Sequence, residues 1–158
     1  MSRDIADIQQ RLDDILSSIA NMKQVLRQES DVLSARDAAR LQALSDAKES
    51  LARNINQQTD ALNELLSNRG LPAIRELAPA VRNTGEAGAR IDATWQEIAA
   101  LAKECEEQND LNGAYVGLLR QHVQRSLDVL HDRPAQDITY GPDGVGQRPA
   151  SSRKLLSV

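Results

Sequence analysis

The residues of this chain that could support acid–base or metal chemistry are its histidines and paired carboxylates, and their spacing argues against both. His122 and His131 are nine residues apart, which places them on different faces of a helix, and no zinc-type spacing or HExxH motif occurs. The acid pairs Asp13–Asp14 and Glu106–Glu107 are typical of solvated helix faces. The sequence therefore predicts that the chain is not an enzyme and has no metal or cofactor.

Two asparagines, Asn109 and Asn112, are more informative, because they fall at consecutive a/d-type positions of an otherwise apolar helical pattern. A buried amide needs hydrogen-bond partners, and a polar residue in such a seam often fixes the register of the packed helices. One interpretation is that the asparagines set the register of a bundle or lie where its seam opens to solvent. The other is that they line a groove that contacts a partner protein.

The composition predicts a helical scaffold. The 158 residues include no Phe, one Trp and two Tyr, so the core must be built from Leu, Ile, Val and Ala, which pack well along helix seams. The net charge is −4 with both signs interspersed, and the lack of a basic stripe predicts no nucleic-acid partner. No apolar run reaches the roughly 20 residues that cross a bilayer, so no membrane insertion is expected. The single cysteine, Cys105, fits a reducing cytoplasm.

Apolar residues recur at alternating steps of three and four through three long segments, as they do in helices packed along a common seam. The pattern predicts an all-α fold: an elongated antiparallel bundle or coiled coil of three main helices at about 3–31, 35–68 and 86–131. A connector at 70–85, rich in Gly and Pro, separates the last two, and 73–81 within it is a candidate short helix. The bundle is expected to occupy residues 1–133.

The junction between the first two helices has two interpretations. The apolar series shifts by one residue there, and Ser34–Asp37 fits a capping box, which predicts a turn near 30–36. The alternative is one continuous helix with a stutter, because neither Gly nor Pro interrupts the chain.

The third helix is expected to be the longest, at roughly 65 Å against about 45 Å for each partner. One end should therefore extend past the shorter helices and offer a binding surface. Its predicted seam runs through the following residues: Ile91, Trp95, Ile98, Ala102, Cys105, Asn109, Asn112, Val116, Leu119, Val123, Leu127 and Leu130.

Residues 134–158 are predicted to form a flexible tail, because Pro, Gly, Ser, Asp and Arg dominate and little apolar surface is available for packing. Within this tail Tyr140 precedes Gly141–Gly144, which suits a type I turn. An aromatic residue held beside a turn is a usual anchor of a short linear motif. The alternative is a tail residue without a partner.

Three stretches of the chain resemble the FlgN family of flagellar export chaperones. Their order and spacing across nearly the whole chain are more specific than any one of them. The first stretch is Glu29-x3-Leu33-x2-Arg36-Asp37-x3-Leu41-x2-Leu44-x3-Lys48-x2-Leu51. The second is Trp95-x2-Ile98 followed by Asn109-x2-Asn112-Gly113, and the third is Tyr140-Gly141-Pro142-Asp143-Gly144.

The resemblance implies a cytoplasmic chaperone for the hook-associated proteins FlgK and FlgL, which masks a client's amphipathic C-terminal helix and delivers it to the export-gate protein FlhA. It also implies that Tyr140 contacts the gate. The client would be held by the end of the third helix, through Val116, Leu119, Val123, Leu127 and Leu130. A structural coiled-coil scaffold or adaptor is the alternative; it explains the heptads but not the Tyr-Gly-Pro-Asp-Gly stretch.

Overall fold

The computed structural model describes residues 2–130, and within that range all regular secondary structure is α-helical and no strand is present. The helices are α1 (Ser2–Ala35), α2 (Ala38–Asn68), α3 (Ile74–Val81) and α4 (Glu86–Leu130). The predicted all-α class is confirmed, with four helices where three main ones were expected. The additional helix is the short α3, which lies inside the predicted connector. The predicted flexible tail and Tyr140 lie outside the described residues.

Helix α1 supplies the central apolar face. Its seam residues Ile8, Leu12, Ile15, Ile19 and Leu26 are buried, as the alternating spacing predicts for a helix packed on one face. The core also draws on the other three helices, and aliphatic side chains make up almost all of it. The remaining buried members of this core are Leu62, Leu66, Ile74, Leu77, Ala78, Ile91, Ile98 and Cys105.

A turn at Arg36 and Asp37 separates α1 from α2, so the two are not one continuous helix. The amide of Arg36 donates to Leu33 O at 3.2 Å and that of Asp37 to Val32 O at 3.4 Å, which is the Schellman pattern. Arg36 occupies the left-handed position, with φ of 55°, where glycine is usual. The cap of α2 is Asp37, whose side chain accepts from the amide of Arg40, and not the Ser34 box expected from sequence.

The end of α2 repeats the same motif with glycine in place. Gly70 has φ of 65°, its amide donates to Ser67 O at 3.0 Å, and the amide of Leu71 donates to Leu66 O at 2.9 Å. Pro72 follows and α3 begins at Ile74. Gly70, from which the end of α2 near residue 68 was predicted, therefore takes part in the motif that ends this helix.

The α3–α4 corner is held by one ion pair and one tight backbone contact. Arg82 Nε donates to Asp92 Oδ2 at 2.6 Å, and this bond raises the pKa of Arg82. Gly88 is buried in the first turn of α4, and a Cβ there would overlap the carbonyl oxygen of Val81. Only glycine allows α4 to pass this close to the end of α3.

Cross-helix contacts fix the directions of the long helices. Arg69, just after α2, pairs with Asp4 at 3.0 Å and Asp7 at 3.1 Å near the start of α1, so these two helices are antiparallel. The first part of α4 runs parallel to α1: Gln9 Nε2 donates to Thr94 Oγ1 at 2.9 Å, and further along Cys105 Sγ lies 3.7 Å from Ile19 O.

The chain divides into two units, Met1–Gly117 and Leu118–Val158. All cross-helix contacts described above belong to the first. The described part of the second is the final segment of α4, residues 118–130.

Candidate functional site

A buried carboxylate, Glu29, is the centre of a polar cluster that joins three helices of the first unit. It lies on α1 between the seam residues Leu26 and Leu33, three residues after one and four before the other. Lys48 of α2 donates to Glu29 Oε1 at 2.9 Å, and Asn112 of α4 donates to Glu29 Oε2 at 2.8 Å. Both carboxylate oxygens are thus satisfied, which a buried charge requires.

Asn112 is buried and every polar atom of its amide has a partner. Besides Glu29, Nδ2 donates to the backbone oxygen of Leu26 at 2.9 Å, and Oδ1 accepts from Gln108 Nε2 at 2.9 Å. These bonds pin one turn of α4 to one turn of α1, since sliding either helix by a residue would separate them. The geometry is that of a seam amide that fixes register.

Asn109 has a different environment from Asn112. Its side chain is exposed, and Oδ1 accepts from Lys48 Nζ at 3.1 Å at the edge of the cluster. Of the two asparagines, Asn112 is therefore buried in the seam, whereas Asn109 lies where the seam opens to solvent. Leu101 packs against the core where the sequence pattern favoured Ala102, which is exposed.

Glu29 and Lys48 both lie in the first stretch that resembles the FlgN family, and the sequence pattern predicted no role for either of them. A signal was present, because Glu29 occupies a seam position of α1 just as Asn112 does in α4. Two of the three stretches that resemble the FlgN family, the one from α1–α2 and the one from α4, therefore meet at this cluster.

The second candidate site is the end of α4. In the segment 118–130, five large apolar side chains are exposed, and some are almost entirely so, with Val129 at 80% and Leu130 at 79%. The other three are Leu118, Val123 and Leu127. Leu119 is half-buried, as is Val116 at the end of the first unit. Leu118 and Val129 lie off the predicted seam, so a simple three-and-four spacing did not identify them.

The described residues offer little for covalent or metal chemistry. Burial raises the pKa of the Cys105 thiol, which is the opposite of what a reactive thiolate needs. No group of three or more His, Cys, Asp or Glu side chains within residues 2–130 could hold a metal ion. The lowered pKa of Glu104 has a simple cause, its hydrogen bond and ion pair with Lys23 on α1.

An exposed apolar helix face is a feature that many proteins use to bind an amphipathic helix of a partner. No helix within residues 2–130 combines the length and apolarity needed to cross a membrane. The chain matches the family model described as FlgN protein over residues 1–147. It therefore belongs to the FlgN family, a family of flagellar export chaperones and not of enzymes, which confirms the predicted family. No curated protein and no solved structure matches the chain.

Proposed function

We propose that this chain is a cytoplasmic export chaperone that binds the C-terminal helical region of FlgK and FlgL and delivers these hook-associated proteins to the export-gate protein FlhA. The observation that carries the proposal is the exposed apolar segment 118–130 of α4. Family membership supports the flagellar role, and the exposed apolar helix surface supports the proposed position of the client.

The physical argument rests on unburied apolar area. A fully buried aliphatic side chain contributes about 1.5–3 kcal/mol relative to an exposed one, so five exposed aliphatic side chains within four turns are costly to leave in water. An amphipathic client helix laid against them would bury the area on both sides. This is the helix-in-groove mode of recognition, in which apolar residues spaced three and four apart along a helix make the anchoring contacts.

The client-binding residues are proposed to be those predicted from sequence. Val123, Leu127 and Leu130 are exposed, whereas Val116 and Leu119 are half-buried. The first three should therefore contribute most to the binding free energy, because they have most area left to bury. Tyr140 is proposed to contact the gate, and this role rests on the family-like Tyr-Gly-Pro-Asp-Gly stretch alone.

Substitution tests the surface directly. We expect Val123→Asp and Leu130→Asp to weaken binding of purified FlgK at least tenfold in calorimetric titration, because a carboxylate would have to be desolvated in an apolar interface. Gln121→Asp, which places the same charge at another exposed position of the segment, should bind as wild type does. Circular dichroism should show unchanged helicity in all three variants.

Two results would count against this assignment. Global unfolding of Val123→Asp would make the residue part of the protein core. Wild-type affinity in folded Val123→Asp and Leu130→Asp variants would remove the segment from client binding. Failure of the wild-type chain to bind either hook-associated protein would favour a scaffold or adaptor role.

A further inference from the structure

The end of α4 differs in charge from the helix that leads to it. Residues 86–117 carry seven acidic and two basic side chains, whereas residues 118–130 carry two arginines, Arg120 and Arg125, and one acid, Asp128. The exposed apolar segment is therefore locally basic in a chain whose net charge is −4. No carboxylate within residues 2–130 forms an ion pair with Arg120 or Arg125, and both side chains are exposed.

The positions of these arginines on the helix are specific. With about 100° of rotation per residue, the six large apolar side chains of the segment cover an arc of about 180°. In order around the helix they are Leu118, Val129, Leu119, Leu130, Val123 and Leu127. Arg125 lies about 20° outside the first of them and Arg120 about 20° outside the last. Each edge of the apolar arc thus carries one guanidinium group.

The other polar residues of the segment do not offset the positive charge at the two edges of the arc. Asp128 lies on the opposite, polar face, where its Oδ1 accepts from Gln124 Nε2 at 2.9 Å. Ser126 and His122 fall inside the arc, and the Ser126 hydroxyl donates to the backbone oxygen of His122 at 3.0 Å. The hydroxyl is thereby satisfied within the helix, so it does not prevent an apolar partner from packing there.

We propose that the segment 118–130 selects an acidic amphipathic client segment, whose apolar face lies on the arc and whose Asp or Glu side chains pair with Arg120 and Arg125 at its two edges. This inference rests on the proposed function and adds the chemistry of the partner. It also adds Leu118 and Val129 to the contact surface. Rim charges of this kind set selectivity and association rate more than total affinity.

A protein partner fits this surface better than a lipid surface does. Helices that lie on membranes have many Lys and Arg residues along their polar face. Here the polar face carries Gln121, Gln124 and Asp128, and the cations stand only at the edges of the arc. Two edge cations suit discrete ion pairs with a complementary helix.

The test measures FlgK affinity of the full chain by titration at about 50 mM and 500 mM salt. Arg120→Gln with Arg125→Gln should weaken binding about threefold to tenfold at low salt, and the difference should shrink at high salt. Gln121→Glu, which makes the same change of charge as either single Arg→Gln but on the polar face, should have no effect. Arg120→Lys with Arg125→Lys should retain most of the affinity, which separates charge from a loss of helix structure.

Several outcomes would overturn the proposal. They are equal affinity of the Arg→Gln variant and wild type, equal weakening by Gln121→Glu, or loss of affinity in the Lys variant as well. If Val123→Asp weakens binding in the same assay, only the charge inference has failed; if it does not, the proposed function fails too. Binding to phosphatidylglycerol vesicles that depends on both arginines, with unchanged FlgK affinity, would assign the edges to a membrane and also overturn it.

Discussion

From the polar cluster around Glu29 we expect different losses of stability when Asn112 and its neighbour Asn109 are each replaced by alanine. Asn112→Ala removes a buried amide that donates to Glu29 Oε2 at 2.8 Å and to Leu26 O at 2.9 Å. The backbone oxygen of Leu26 remains within the hydrogen-bonded backbone of α1, but the buried Oε2 of Glu29 loses its hydrogen-bond donor. Asn109→Ala removes only an exposed acceptor of Lys48.

The magnitudes follow from this difference. Loss of a hydrogen bond to a charged group, together with an unsatisfied buried carboxylate oxygen, costs about 2–4 kcal/mol. Loss of an exposed contact costs about 0.5 kcal/mol or less. For a chain of this size 1 kcal/mol corresponds to roughly 2–4 °C in Tm. Asn112→Ala should therefore lower Tm by about 4–16 °C, and Asn109→Ala by about 2 °C at most.

The assay is urea unfolding followed by circular dichroism, with Tm measured in parallel. A double-mutant cycle between Glu29→Ala and Asn112→Ala should give a coupling free energy of about 1 kcal/mol or more, whereas the cycle of Glu29→Ala with Asn109→Ala should give almost none. Equal destabilisation by Asn109→Ala and Asn112→Ala would refute the reasoning, because burial and hydrogen bonding would then not decide the cost.

Four further substitutions test the backbone and the tail. Arg36→Gly should raise the free energy of unfolding by about 1 kcal/mol in denaturant titration, since glycine accepts φ of 55° without steric cost; Gly70→Ala should lower it similarly. Gly88→Ala should destabilise by about 1–3 kcal/mol in the same assay, because its Cβ would overlap the backbone of α3. Tyr140→Ala should weaken binding of the client-loaded chaperone to the FlhA cytoplasmic domain, roughly thirtyfold in titration, with client affinity unchanged; unchanged gate affinity would contradict its proposed role.

The helices and their ends show which features of sequence determine structure locally. Gly70 and Pro72 predicted the end of α2, because both residues act through their own backbone restrictions. The end of α1 could not be predicted in the same way, since Arg36 adopts the conformation of a glycine and only the surrounding hydrogen bonds hold it there. Consequently the residue that caps α2 is Asp37, whereas the sequence had indicated Ser34.

The sites were predictable only in part, because heptad spacing identifies a face but not its neighbours. The seam pattern drew attention to Asn112, yet its partner Glu29 lies 83 residues away, and such a distant pairing has no local signature. Ile98 and Cys105 are buried as expected, and seven residues separate them. A four–three and a three–four step both fit that interval; the structure has the second, so Leu101 and not Ala102 packs against the core. Leu118 and Val129 were missed because a regular seam pattern does not reveal a wider apolar arc.

Hydrogen–deuterium exchange of the free chain and of the chain saturated with purified FlgK tests the central claim most directly. Exposed backbone at the end of α4 should exchange faster in the free protein than the buried turns around Ile15 and Leu26, which have their own packing. If this segment holds the client, FlgK should slow amide exchange most strongly within residues 118–130. Protection confined to other parts of the chain, with unchanged exchange in 118–130, would contradict the assignment of this segment as the client-binding surface.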